Sequence, residues 1–481
     1  MIDPERRPTF RSCTVHRRTM LACCGMGLGI PGLAGVLADD GRLAESETSA
    51  ATRSRLYQKS PHSFGRAKHV IHFFLNGGPS HVDTFDHKPA LQKYAGKLVP
   101  CIQPTERRTG AALPSPFRFR QYGESGLPVS DLFSKTAAHA DDIAVIRSMY
   151  AQVPNHEPSL MLMNCGDSVQ PRPSMGAWVL YGLGTENENL PGFIAMCPKG
   201  LPIKDSENWQ AAFLPGAYQG THIDTQYLDL SKLIENIEHP NVATTDQRRQ
   251  LDLLRRWNLK HRESRNDDRL DARIHSYELA FRMQDAAAEV FDLSSEPKHV
   301  QDMYGNTTHG RQTLIARRLV ERGVRYIQLW HGAGQPWDTH AKIAENLPRL
   351  AGDIDGPIAA LMTDLKQRGL FDETLILWGG EFGRTPTVEL MGNDRPGFGR
   401  DHNHYGFSVW LAGGGIHGGT TWGATDDFGF AAVENRTSVH DLHATMLYVL
   451  GLDHKQLTYR YAGRDFRLTD VHGNVLHDIL S

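Results

Sequence analysis

Acidic and histidine side chains recur in three short segments of this chain, and both types bind transition metals. Asp338 and His340 lie in the first segment, Glu381 in the second, and His402 and His404 in the third. Carboxylate and imidazole groups are common ligands of zinc, manganese and iron. Asp338 and His340 are two residues apart, which suits an extended loop and not one face of a helix. These five residues are predicted metal ligands.

Each of these segments borders an apolar run that is typical of a buried strand. Val324–Trp330 precedes the first, Thr374–Trp378 precedes the second, and Phe407–Leu411 follows the third. In an open α/β sheet, ligands sit in the crevice outside the carboxyl ends of the strands. Two strands that each deliver an acid to that edge, and a third that receives a His-rich loop, are expected to converge on one small volume.

Other residues near these strands are candidates for catalysis. His156 is a candidate general base or additional ligand, and Ser159 a nucleophile without a local activating group. Arg384 either forms an ion pair with Glu381 or holds a substrate anion through two hydrogen bonds. Asp401 is a candidate hydrogen-bond partner that fixes the orientation of an imidazole ligand. The alternative to a catalytic or metal-binding role is a purely structural one, in which the acid is solvated, the histidine is packed and the arginine forms an ion pair.

Composition gives no sign of a polyanionic partner. The chain has 52 Lys+Arg against 55 Asp+Glu, a net charge of −3. The chain has no surplus of basic residues that would favour binding to nucleic acid or to an anionic membrane. We therefore expect no nucleic-acid partner.

The N-terminus resembles a twin-arginine export signal. Arg17 and Arg18 open a short, glycine-rich apolar run through Ala38, and Pro31 interrupts it. A membrane anchor is the alternative, but the broken run favours cleavage near Ala38, with a soluble exported product in the periplasm or medium. Arg6-Arg7 is a second arginine pair, so the start of the signal, assigned to residues 1–38, is open.

The remaining cysteines do not form a disulfide framework. Cleavage would leave Cys101, Cys165 and Cys197, an odd and small number that favours buried thiols. The run Cys101–Arg107 lacks the spacing of the C-x-P-x-R signature of sulfatases. We predict that the protein does not use formylglycine.

Strand and helix patterns alternate along the body of the chain. Residues 39–68 are polar and are predicted to be a tether, and residues 69–475 a single domain. Strands are predicted at 69–75, 143–146, 193–196, 325–330, 375–378 and 408–411, and helices at 308–322, 356–368 (capped by Asp355) and 439–450. This alternation predicts an α/β/α sandwich with a mostly parallel sheet. The charge-laced residues 245–295 are predicted to be a helical insertion.

Five phrases of the sequence carry a resemblance to a known family. They are Phe74–Asp86, Trp337–His340, Gly380–Pro386, Gly399–His402 and Ala462–Thr469. Together they are similar to the bacterial domain of unknown function 1501 family over about residues 65–475. That family is usually exported and is grouped with the alkaline phosphatase/sulfatase superfamily. The resemblance implies an alkaline phosphatase-like fold with metal ligands at the carboxyl edge of the sheet.

The chain departs from the superfamily pattern at several positions. Asn76 stands where the first acid is expected, and the loop of His156 stands where the nucleophile is expected. Glu381-Phe382 replaces Asp-His, while His402 or His404 matches the final histidine. A two-metal site is therefore not expected, and a single ion or none is open. The five candidate ligands Asp338, His340, Glu381, His402 and His404 carry two carboxylate charges, which suit one divalent ion, zinc or manganese.

These observations lead to two functional hypotheses. The first is an exported, metal-dependent hydrolase of phosphate or sulfate esters, acting on a small-molecule or polysaccharide anionic ester. In it Arg384 and Asn76 hold oxygens and His156 moves the proton. The alternative is a catalytically altered superfamily member that binds carbohydrate or a surface.

Overall fold

A computed structural model describes residues 58–100, 103–227, 229–234, 237, 241–263 and 268–481. The predicted export signal at 1–38 lies outside these residues, as does most of the predicted tether. The last residues of the predicted tether, 58–68, hydrogen-bond with the domain: the Lys59 amide donates to Leu183 O and the Ser63 amide to Gly451 O. No helix among the described residues is both long and apolar enough to span a bilayer.

Strands and helices alternate along the described chain. The strands are β1 His69–Phe74, β2 Thr109–Ala112, β3 Phe119–Tyr122, β4 Leu127–Ser130, β5 Ile143–Tyr150, β6 Phe193–Met196, β7 Thr221–Ile223, β8 Tyr326–Trp330, β9 Thr374–Gly379, β10 Gly383–Met391, β11 Arg395–Asn403, β12 Phe407–Ala412, β13 Thr420–Trp422, β14 Ala424–Thr425, β15 Ala432–Glu434, β16 Thr437–Ser438, β17 Tyr459–Tyr461 and β18 Arg464–Phe466. The α-helices are α1 Pro89–Lys93, α2 His156–Cys165, α3 Met175–Leu183, α4 Leu230–Leu233, α5 Thr244–Glu263, α6 Asp268–Phe291, α7 Lys298–Tyr304, α8 Thr308–Glu321, α9 Ile343–Gln367 and α10 Val439–Val449.

The main sheet has the strand order β13-β5-β12-β9-β1-β8-β6-β7, with β16 also paired to β5. Strand β12 runs antiparallel to both β5 and β9, and the other pairings in this sheet are parallel. A parallel strand at the centre of such a sheet is covered on both faces, which explains the unbroken apolar run of β1. The carboxyl ends of β1, β8 and β9 therefore lie side by side at one edge.

Helices cover both faces of the sheet. Side chains alternate along each strand, so Ile71 of β1 packs on one face and Val70 on the other. The first face is covered by apolar residues of α6, α8 and α9, and the second by apolar residues of α2, α3 and α10. The predicted α/β/α sandwich with a mostly parallel sheet is confirmed. Helices α5 and α6 occupy the segment where the helical insertion was predicted.

The prediction for the helix at 356–368 is wrong at its start. Helix α9 begins at Ile343 and continues through Pro357, although proline removes one backbone hydrogen bond from a helix. Burial of residues such as Leu347 and Leu350 outweighs that loss. Asp355 is not a cap: it lies inside α9, and its carboxylate accepts hydrogen bonds from the backbone amides of Lys135 (3.0 Å) and Thr136 (2.7 Å).

A small sheet of order β11-β10-β2 lies beside the edge that carries the candidate ligands. Residues 401–403 belong to β11, so the prediction of a His-rich loop there is wrong for these three residues. Pro386, Pro396 and several glycines hide this hairpin in the sequence, because both residue types are rare inside strands. The antiparallel register of β10 and β11 places Arg384 directly opposite His402.

Candidate metal centre

One carboxylate oxygen, Asp338 Oδ1, is the centre of the site. Arg384 Nη2 donates to it at 2.5 Å, and three imidazole nitrogens lie near it: His340 Nε2 at 2.7 Å, His402 Nε2 at 3.2 Å and His156 Nε2 at 3.4 Å. The structure therefore brings together four of the predicted site residues around Asp338. His156 and His402 are buried, whereas Asp338 and His340 are only half-buried.

Each of the three imidazoles is held from behind by a carboxylate on its Nδ1 atom. The pairs are His156 with Glu381 Oε1 at 2.7 Å, His402 with Glu106 Oε2 at 2.6 Å, and His340 with Glu389 Oε2. An ionised carboxylate only accepts hydrogen bonds, so each Nδ1 carries the proton. In the neutral ring, each Nε2 then presents its lone pair to the space around Asp338. Carboxylate–histidine pairs of this kind orient imidazoles toward metal ions.

The contact between His156 and His402 shows what the site requires. Their Nε2 atoms lie 2.9 Å apart, and two bare lone pairs at that distance repel each other unless a proton or a metal ion lies between them. The ligand atoms of His156, His402 and Asp338 lie within 4.8 Å of one another and fit a divalent ion. His340 Nε2 contacts Asp338 Oδ1 but does not belong to that group. Zinc accepts imidazole and carboxylate ligands of this kind.

The position of Glu381 differs from that of the imidazoles. Its Oε1 accepts from the Gly77 amide at 2.9 Å as well as from His156, while its fully buried Oε2 has no hydrogen-bond partner among the described residues. A buried carboxylate oxygen without a partner is costly. Oε1 therefore orients His156, and only Oε2 remains to receive a cation.

Two glycines allow the loops of the site to meet. Gly77 has φ +111, and a Cβ there would lie 2.5 Å from the Asp338 amide nitrogen. A Cβ on Gly399 of β11 would lie 2.0 Å from the His340 carbonyl carbon. Since real Cβ contacts are far longer, only glycine permits this approach of β1, β11 and the loop that follows β8.

Arg384 is fully buried and bonded entirely within the protein. It donates to Gly77 O, to Gly78 O at 3.0 Å and to Asp338 Oδ1. The guanidinium therefore fixes Asp338 and the loop after β1. It pairs with Asp338, and not with Glu381 as the sequence-based alternative has it.

The charges of the site shift two pKa values in opposite directions. Burial alone would lower the pKa of His156, but hydrogen bonds to Asp338 and Glu381 outweigh it and raise the pKa to about 9. Burial alone would raise the pKa of Asp338, but hydrogen bonds from His156, His340 and His402 and the charge of Arg384 lower it well below the ordinary range. Without a metal, the site therefore keeps the Asp338 carboxylate ionised and holds a proton on His156.

Three residues singled out in the sequence do not join the cluster. Both polar atoms of the Asn76 amide are used internally: Nδ2 donates to Gly332 O and Gly334 O, and Oδ1 accepts from the His331 amide. The His404 ring packs on Tyr405, with centroids 4.0 Å apart, and belongs to none of the groups of candidate metal ligands. Ser159 Oγ donates to Val153 O.

Three residues of the site were not predicted from the sequence. Glu106 and Glu389 hold His402 and His340, and the Arg107 amide donates to Asp401 Oδ2 at 2.6 Å. Asp401 thus binds backbone, and its Oδ1 has no hydrogen-bond partner among the described residues. The alternation of side chains along β10 indicates Glu389, whereas Glu106 and Arg107 precede β2 and carry no such pattern.

The described cysteines lie apart from the metal centre. Cys165 and Cys197 are buried free thiols, and burial raises the pKa of each well above its ordinary value. Neither is poised for reaction, since thiolate chemistry requires a lowered pKa. Cys101 lies outside the described residues.

Comparison with known proteins identifies one family. The family model described as "Protein of unknown function (DUF1501)" matches residues 67–480. The comparison with curated proteins found no match.

Solved structures similar to this chain include a phosphonate monoester hydrolase from Silicibacter pomeroyi (13% identity, 72% of this chain and 71% of that chain, TM-score 0.33). Others are the PsFucS1 sulfatase from Pseudoalteromonas sp. (12%, 80% and 68%, TM-score 0.34) and a protein in the alkaline phosphatase superfamily from Vibrio parahaemolyticus (9%, 86% and 74%, TM-score 0.36).

Proposed function

The chain belongs to the DUF1501 family, and we propose that it is an exported, metal-dependent hydrolase of phosphate or sulfate esters. One observation carries this proposal: three imidazoles, each held by a carboxylate, turn their Nε2 atoms toward Asp338 Oδ1. Burying several polar groups close together costs free energy, and a bound cation would offset that cost.

The ligand set favours one ion in this centre, with zinc ahead of manganese. The imidazoles of His156 and His402 suit zinc, and a carboxylate such as Asp338 is accepted by both metals. When bound, a divalent ion polarises an ester oxygen and acidifies water. The residues around it hold the ligands: Glu106, Glu381 and Glu389 fix the three rings, and Arg384 fixes Asp338.

The mouth of the site is suited to an anionic ester. Arg107 is half-exposed, pairs with Glu389 at 3.1 Å, and interacts electrostatically with Asp338. Its guanidinium offers the planar set of donors that binds phosphate or sulfate oxygens. We assign the anion-holding role to Arg107, because Arg384 is buried and Asn76 has no polar atom to spare.

The geometry favours water as the nucleophile. Ser159 Oγ and Thr385 Oγ1, hydroxyls close to the site in the sequence, both donate to backbone carbonyls. Among the described residues, neither is hydrogen-bonded to a side chain that could act as a base. His156 is one of the metal ligands, so it does not move the proton as the sequence-based hypothesis has it. Solvent that reaches the half-exposed Asp338 side chain takes that role. The substrate is a small-molecule or polysaccharide anionic ester.

The unactivated hydroxyls and Asn76 support a second candidate function. A chain in which these hydroxyls are unactivated and Asn76 replaces an acid could bind carbohydrate or a surface without hydrolysing it. The two functions differ in turnover: the hydrolase releases phosphate or sulfate, and the binding protein retains the metal and the ligand without turnover.

The test measures metal content and hydrolysis on the same preparations. Protein purified without chelators is analysed for zinc and manganese and assayed with aryl phosphates and aryl sulfates. We expect His402→Ala and Asp338→Asn to lose the ion of this centre and the activity together. The matched control is His404→Ala, a histidine two residues away that lies outside the cluster. Retention of the full metal content by His402→Ala would contradict the metal centre, and metal without turnover would favour the binding protein.

We also propose export through the twin-arginine route, with cleavage near Ala38. The support is the sequence pattern of Arg17, Arg18 and the apolar run broken by Pro31. Replacement of both arginines by lysine should leave the folded protein in the cytoplasm, and an uncleaved protein in a detergent-requiring membrane fraction would contradict the proposal.

A further inference from the structure

A second group of candidate metal ligands lies behind the metal centre. His309 is in α8, His331 directly follows β8, and Asp353 is in α9, and their ligand atoms all lie within 4.8 Å of one another. The ring of Trp337 stands edge-on to the His331 ring, with centroids 5.5 Å apart. No residue of this group is a ligand in the Asp338 cluster.

His331 is the residue whose contacts most need an explanation. His331 is only 7% exposed, and neither of its ring nitrogens has a hydrogen-bond partner among the described residues. Its Nε2 lies 3.6 Å from Asp353 Oδ2, which is too long for a hydrogen bond. Two ligand atoms on one tetrahedral zinc, each about 2.0–2.1 Å from the ion, are separated by about 3.3 Å. The observed spacing is closer to that of two ligands than to that of a bonded pair.

His309 is oriented to present a lone pair. The side-chain NH2 of Gln312 donates to Met196 O at 2.8 Å and to Trp330 O at 3.2 Å, so its Oε1 can only accept. That oxygen lies 3.0 Å from His309 Nδ1, which must therefore be the protonated nitrogen. The Nε2 of His309 is left unprotonated in the neutral ring, which is the form that binds a metal.

We propose that His309, His331 and Asp353 form a second cation site, for zinc or a similar divalent transition metal. Two imidazoles and one carboxylate are an established zinc ligand set with one position left for water or an anion. The ion would join the carboxyl end of β8 to α8 and α9. It would therefore stabilise the sheet edge on which the first centre is built.

The surroundings define what this site can hold. Asp353 is partly exposed, so an ion can enter from solvent. Lys199 and Arg349 interact electrostatically with His331 and oppose additional positive charge. A small anion in the fourth position would offset part of the positive charge of Lys199 and Arg349. The sequence-based expectation of one ion per chain came from Asp338 and its neighbours and did not include these residues.

The experiment uses cobalt(II) as a probe in full-length protein. Asp338→Asn/His402→Ala removes the first centre, and this double variant should still bind cobalt with the visible absorption of a tetrahedral ion. Adding Asp353→Asn or His309→Ala should abolish that absorption. The matched controls are Glu345→Gln, an exposed acid on α9, and His299→Ala, an exposed histidine on α7, and both should retain it.

A parallel measurement covers the case in which the double variant does not fold. In the otherwise unchanged protein, Asp353→Asn should lower the zinc content from two equivalents to one and lower the melting temperature in zinc but not in chelator. The site is disproved if the double variant folds without binding cobalt, or if Asp353→Asn leaves both zinc content and zinc-dependent stability unchanged. Because these readouts exclude ester hydrolysis, they are independent of the proposed activity.

Discussion

His156 Nε2 and His402 Nε2 lie 2.9 Å apart, and each ring is held by a carboxylate on its opposite nitrogen. Two nitrogens so oriented cannot both be bare and cannot both donate to each other. Only a cation in the space that they share with Asp338, a proton or a metal ion, resolves the contact.

Glu381→Gln should weaken metal binding without removing a ring from the centre. The glutamine keeps the shape and an acceptor for His156 Nδ1 but removes the charge that makes the imidazole a stronger ligand. Loss of such a supporting carboxylate lowers metal affinity by about 10- to 100-fold. Competition with a chromophoric chelator measures the change, and the control is Glu373→Gln, a half-exposed acid paired with Lys68. Equal affinities in the two variants would show that Glu381 does not support the centre.

Metal uptake should release a proton at neutral pH. In the metal-free protein the pKa of His156 is about 9, so near pH 7 the ring is protonated and must lose that proton to bind the ion. The apparent affinity should rise by about tenfold between pH 7 and pH 8, and level off above pH 9. Proton release in weak buffer provides the measurement, and His156→Gln should flatten the dependence. An affinity independent of pH between 7 and 8 is the contrary result.

Gly77→Ala should damage the centre through a backbone clash. The new Cβ would lie 2.5 Å from the Asp338 amide, and the residue would also be held at a positive φ. We expect lower metal content and at least about 1 kcal/mol lower stability. Gly96→Ala separates the two effects, because Gly96 has φ +73 but no atom within 4 Å of a Cβ. If both substitutions gave the same metal content, the close approach at Gly77 would be unimportant for the site.

The sequence allowed the main sheet to be predicted because its strands are buried on both faces. Continuous apolar runs marked β1, β8 and β9, and the acids that follow β8 and β9 do converge. The small sheet was not predicted, because Pro386 and Pro396 conceal the pattern of β10 and β11. That loss explains why Glu389 was missed.

The hydrogen-bond partner of each side chain in the site was harder to predict than the position of that side chain. Glu381 follows β9 as expected, yet whether its carboxylate binds a metal or a histidine depends on where α2 begins, 225 residues away. Glu106 lies in an irregular segment before β2 that has no periodic pattern. Contacts between residues so distant in the chain depend on tertiary packing, which local patterns do not encode.

Acid should destabilise the metal-free protein through two histidines outside the site. Burial lowers the pKa of His72 and of His443 from 6.5 to about 3. The unfolded chain therefore binds protons below pH 6.5 that the folded chain excludes, so stability is lost as the pH falls from 6.5 toward 3. At pH 5 each histidine should cost roughly 2 kcal/mol relative to neutral pH. Urea unfolding at pH 5 and pH 8 in chelator measures the difference. His72→Asn should reduce it, the exposed control His299→Asn should not, and an unchanged difference in His72→Asn would show that His72 is protonated in the folded chain.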